Sequence, residues 1–191
     1  MPSEAQVIAA TRCWVEQVVV RHNLCPFAHK PARNKTIRYV VSQAAETDQL
    51  VEDLLNELIL LRDADHAQIE TTILAVPKCL NKFDDYNQFL DLVDVLIVQF
   101  NLQGIIQVAS FHPDYQFADL AKDDVRNYTN RSPWPMFHLI LEQSIEQARL
   151  SYPDVEAIPD NNMRLLQKLG LDEVRRQLDA CCSQLTPSGP E

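Results

Sequence analysis

ETTILAVPKCLNKFDDYNQFLDLVDVLIVQFNLQGIIQVASF, residues 70–111, decides the fold. Its first part, ETTILAVP (70–77), is rich in β-branched residues and stopped by Pro77, so it reads as a strand. In DDYNQFLDLVDVLIVQFN (84–101), Tyr86, Phe89, Leu90, Val93, Ile97 and Phe100 recur at helical spacing. Gly104 ends the connection, and IIQVASF (105–111) reads as a further strand. Upstream, IRYVVS (37–42) and TDQLVEDLLNELILLRD (47–63) repeat the strand-then-helix pattern. Such a succession favours parallel pairing through right-handed crossovers, and mostly apolar strands suit a sheet covered on both faces. The expected fold is α/β: a small, mainly parallel three-stranded sheet (a β-α-β-α-β core) flanked by an N-terminal helix and about three C-terminal helices.

The flanks follow from capping and periodicity. Ser3 with Gln6 resembles a capping box, and residues 4–22 are predicted to form an amphipathic helix that Asn23 ends in a left-handed conformation. Ser132 is predicted to cap a helix beginning PWPMFHL and running to about residue 149, its prolines confined to the first turn. Asp160 and Asp172 are read as caps of two last helices, ending at Gly170 and near Cys181. Residues 1–182 are expected to form one globular domain, and 183–191 a disordered tail.

Composition narrows the function. Three glycines leave no phosphate-binding glycine loop. A formal net charge of -10 makes nucleic acid and anionic membrane poor partners, and no apolar run is long enough to cross a bilayer. The N-terminal MPSEAQVIAATRCW has neither the basic nor the apolar part of a secretory signal, so a cytoplasmic location is expected. The five cysteines, at 13, 25, 79, 181 and 182, form neither a disulfide framework nor a paired zinc motif, and reduced thiols are expected.

The candidate site is FHPDYQFADLAKDDVRNYTNRSPWPMFHLI (111–140), too long and too rich in reactive side chains for a simple connection. In open parallel sheets the ligand crevice lies at the carboxyl ends of the strands. The third strand delivers His112 and Asp114 there, and the first two deliver Gln43, Lys78 and Cys79. His138, on the predicted helix, shares an inward face with Trp134, Leu141 and Ile145. Its place near a helix N-terminus and its burial predict a neutral ring. His112, Asp114 and His138 form a candidate ligand set for a divalent transition metal. The structural alternative makes His112 a strand-end residue, Asp114 a turn former and His138 a hydrogen-bonded core residue. A metal-free alternative makes one histidine a general base oriented by Asp114.

Around this centre stand Cys25, Tyr115, Asn130 and Arg131. Cys25 lies in LCPFAHKP, just beyond a predicted helix C-terminus, which does not lower a thiol pKa; His29, Lys30 or Arg33 would be needed to make it reactive. Otherwise Leu24, Cys25 and Phe27 form a hydrophobic plug. Arg131 is a clamp for a ligand carboxylate or phosphate, or the partner of a nearby aspartate. Two functions fit: a small-molecule enzyme with its pocket at the carboxyl edge, and a binding or homo-oligomeric assembly protein that uses Tyr115, Trp134 and Phe137 as interface anchors.

NLCPFA (23–28), FHPDYQFAD (111–119), NYTNRSPWPMFHL (127–139) and IPDNNMRLLQKLG (158–170) resemble the signature blocks of a bacterial family known as domain of unknown function 1415. The resemblance runs from the first helix to Gly170 and implies a single-domain bacterial cytosolic protein, with no activity to transfer. It also implies that an arginine often stands where this chain has Leu141, which puts an anion-binding role for that element in doubt.

Overall fold

The computed structural model describes residues 2–152 and 154–183. The predicted tail lies outside the described residues except for Ser183. Helix α1 (Glu4–Trp14) begins at the expected capping box, with Ser3 accepting from the Gln6 amide and the Gln6 side chain accepting from the Ser3 amide. It continues as a π-helical segment, Val15–Val20, and Asn23 turns left-handed at φ 53°. A single 3₁₀ turn (Pro26–Ala28) leads into α2 (His29–Asn34). Strand β1 (Ile37–Val41), α3 (Thr47–Asp63), β2 (Thr71–Ala75), α4 (Phe83–Gln99) and β3 (Ile106–Phe111) follow where the periodicity predicts them.

Residues 133–149 depart from expectation. Met136–Leu141 form a fourth strand, β4, and only then does a helix begin, α5 (Glu142–Ser151). Helices α6 (Ile158–Leu169) and α7 (Leu171–Cys182) complete the chain, with Gly170 between them at φ 82°. Neither Asp160 nor Asp172 is a cap; both lie in the first helical turn.

The sheet is therefore four-stranded and mixed, in the order β1-β2-β4-β3. β1 and β2 are parallel, and β4 lies antiparallel between β2 and β3. Since β2 and β3 both oppose β4, the three predicted strands do point one way, but β3 pairs with β4 and not with β2. Both faces of β4 are covered. Phe137, Leu139 and Leu141 enter the core under α3 and α4, whereas Met136 enters the core under α1, α6 and α7. With Met136 and Ile140 on one face and Phe137, Leu139 and Leu141 on the other, the segment shows no apolar–polar alternation to mark it as a strand. Pro135 sits just before the strand, where its missing N–H breaks no ladder bond, and its carbonyl accepts from the Val76 amide. Tyr86 of α4, fully buried, joins the two antiparallel strands at the Phe111–Met136 pair. Its hydroxyl donates to the Met136 carbonyl at 2.7 Å and accepts from the Phe111 amide at 3.1 Å.

Cys13 of α1 and Cys181 of α7 are joined in a disulfide, with Cα atoms 5.4 Å apart. This corrects the expectation of five reduced thiols. The 168-residue separation hides the pair in the sequence, because only the packing of α7 on α1 brings the two together. Among the described residues no helix is long and apolar enough to cross a membrane.

Candidate functional site

The long segment after β3 turns out to be tied to itself. His112 is fully buried on the α4 side of the sheet, its ring 5.4 Å from that of Phe83 and 5.2 Å from that of Tyr86. Its Nε2–H donates to the Leu80 carbonyl at 3.0 Å, and its Nδ1 accepts the Asp114 amide at 2.9 Å. Both ring nitrogens are used, the tautomer is fixed, and burial lowers the pKa. Among the described residues Arg131 binds no aspartate. It donates to the carbonyls of Tyr115 and Lys122 and lies over the Tyr128 ring. The aspartate-pairing arginine is Arg126, whose guanidinium holds the Asp124 carboxyl down at about 2. Asn127, fully buried, binds the carbonyls of Ala121 and Lys122 and accepts the Phe117 amide. Asn130 donates to the Ser110 carbonyl, and Tyr115 packs against Phe83 and Phe117. The polar residues thus satisfy the backbone of a loop with no ladder of its own.

His138 is elsewhere. On β4 it shares the face of Met136, opposite to Phe137 and Leu139, so it lies on the α1 side of the sheet while His112 lies on the α4 side. A site shared by His112, Asp114 and His138 is ruled out by this alternation. Among the described residues no three His, Cys, Asp or Glu side chains stand close enough to hold a metal ion. The carboxyl edge does bring Lys78 to Gln43, at 2.7 Å, beside Cys79, whose thiol pKa burial pushes up. β1, β2 and β3 follow one another in a single direction, with α3 and α4 on one face, so the strand order has no reversal to open a crevice. The segment after β3 then closes that edge, with the His112 amide donating to the Asn130 carbonyl. The interface reading also loses an anchor, since Phe137 is fully buried.

A cavity of about 540 Å³ lies at the opposite edge, where β2 begins and β4 ends. One wall is Cys25 to Pro31 with Arg33, and the other is α5. Glu70, Thr71, His138 and Ile140 form its floor. His138 and Cys25 thus line the same cavity, although 112 residues lie between them in the sequence.

Two details define the chemistry. Thr71 Oγ1 lies 2.6 Å from the Leu139 carbonyl oxygen and 2.8 Å from His138 Nε2. A carbonyl can only accept, so the hydroxyl hydrogen goes to Leu139 and His138 must donate its Nε2–H to Oγ1. In the neutral ring the lone pair therefore lies on Nδ1, which has no hydrogen-bond partner among the described residues. Burial pushes its pKa down to about 4. The neutral ring was expected, but its cause is burial on a strand and not a helix dipole.

Cys25, half-buried, immediately precedes the 3₁₀ turn; the Ala28 amide donates to its carbonyl at 3.0 Å, and the Phe27 and Ala28 amides lie close enough to favour the ionised sulfur. Those amides favour a thiolate, yet burial dominates and raises the pKa. The residue joins the edge of the core under α1, as a plug would, while also lining the cavity. Leu141 faces the α3–α4 core at 1% exposure, away from this cavity, so no ligand contact here depends on it.

A protein-family model matches residues 6–176, and its description is "Protein of unknown function (DUF1415)". No curated protein and no solved structure matches the chain.

Proposed function

The chain belongs to the DUF1415 family, so its role must be argued from the site, and we propose that it is a small-molecule enzyme working in the cavity at the amino edge of the sheet. The observation that carries this reading is that Cys25 and His138 both line one cavity of a size that suits a metabolite. Cys25 is the nucleophile. His138 Nδ1, unprotonated and unpartnered, accepts a hydrogen bond or a proton from the reacting group. The Phe27 and Ala28 amides stabilise negative charge on the sulfur as it develops. No metal is required by this arrangement.

Iodoacetamide tests the reading. Cys25 is expected to react in the native protein, and the rate should keep rising past the pH at which an unperturbed cysteine levels off, because burial raises its pKa. Ala148 lines the wall formed by α5, so Ala148→Trp should occupy part of the cavity and slow labelling of Cys25. Labelling of Cys25 only after unfolding would leave it a structural plug and end the proposal.

A further inference from the structure

We infer that the ligand of this cavity is a small organic acid with an apolar body, its carboxylate held at the mouth by Arg33. The inference rests on the reading of the cavity as a small-molecule site and adds the class of molecule.

Charge is the first ground. Residues 17–45 contain five Lys or Arg, at 21, 30, 33, 35 and 38, and no Asp or Glu, within a chain of net charge -10. The wall of the cavity is cut from that segment: His29, Lys30 and Arg33 all line it. One carboxylate, Glu70, also lines it, but Lys30 Nζ donates to it at 3.0 Å and Thr36 Oγ1 at 3.3 Å. His29 is engaged by Asn23 at 2.9 Å. Arg33 has neither an ion pair nor a hydrogen bond among the described residues. A planar guanidinium left free at the mouth of a cavity offers two parallel donors to a carboxylate.

The walls give the rest of the ligand. Phe27, Pro31, Ile140, Ile145 and Tyr152 present apolar surface between the cationic mouth and the His138 floor. A fully hydrated dianion would leave that surface unmatched, whereas an aryl or branched alkyl carboxylate matches both parts. The acid head lies at α2 and the apolar body extends toward His138 and Cys25.

Comparing two alkylating reagents of nearly the same size tests this, because the ratio of their rates at one sulfur cancels the thiol's own pKa. The iodoacetate-to-iodoacetamide rate ratio at Cys25 should exceed that of an unfolded control. It should fall by about fivefold in Arg33→Glu, the scale for reversing one charge at a solvent-exposed mouth, and fall with added salt. Phenylacetate should protect Cys25 in the wild type and phenylacetamide should protect it less. Equal ratios in wild type and Arg33→Glu, with Cys25 still labelled in both, would refute the organic acid and leave the cavity reading intact. No native labelling by either reagent would overturn both.

Discussion

Reduction of the Cys13–Cys181 disulfide is expected to remove several kcal/mol of unfolding free energy. Closing a loop of this length limits the unfolded chain by about 5 kcal/mol in the chain-entropy account, and measured effects run somewhat lower. The bond ties the first helix to the last, so the whole described chain lies inside the loop apart from its ends. Denaturant unfolding with and without dithiothreitol gives the difference. A double Cys13→Ala, Cys181→Ala protein should match the reduced wild type and ignore the reductant. An unchanged midpoint on reduction would mean that the two thiols are not joined in solution.

The second large effect is set by pH. His138 has a folded pKa of about 4 against about 6.5 in the unfolded chain. Above pH 6.5 the ring is neutral in both states and has no influence on stability. As pH falls below 6.5 the unfolded ring takes up a proton that the folded ring refuses, so stability is lost progressively until pH reaches about 4. The integrated loss is about 3 kcal/mol. His138→Gln should lack this loss, and subtracting its pH–stability curve from that of the wild type should isolate it from the contribution of His112, which also titrates low. Superimposed curves between pH 4 and 6.5 would show that the ring is not buried neutral.

Much of the fold was legible. The capping box at Ser3, the left-handed Asn23, helices over 47–63 and 84–101 and three strands all follow from periodicity, capping and turn chemistry, and the structure has them. What failed was a short segment with large consequences. Met136–Leu141 shows helical spacing from Trp134 through His138 to Leu141 and also fits a strand buried on both faces. Local sequence cannot separate the two, because the partners that decide between them, β2 and β3, lie far away in the chain. Reading the segment as a helix left the sheet one strand short and placed the crevice at the wrong edge.

The site was legible residue by residue but not as a group. His138 and Cys25 each stand out by type, yet nothing in their spacing favours their pairing over that of His112 with His138. His112, Asn130 and Arg131 look catalytic by type. Their hydrogen bonds run to Leu80, Ser110, Tyr115 and Lys122 carbonyls. A long loop must find partners for its backbone, and polar side chains that do so are indistinguishable in sequence from those that meet a ligand. The charge pattern of residues 17–45, five Lys or Arg and no Asp or Glu, is a readable signal for the cavity wall.

Cys25 and His138 face one cavity, and His112 lies outside it. Alkylating Cys25 with iodoacetamide, in a protein carrying Cys79→Ala and Cys182→Ala, and following the five histidine rings by NMR tests that placement directly. The account predicts that the His138 ring signals move on modification while those of His112, sealed behind the sheet between Leu80 and Asp114, stay in place. A shift at His112 with His138 unmoved would contradict it.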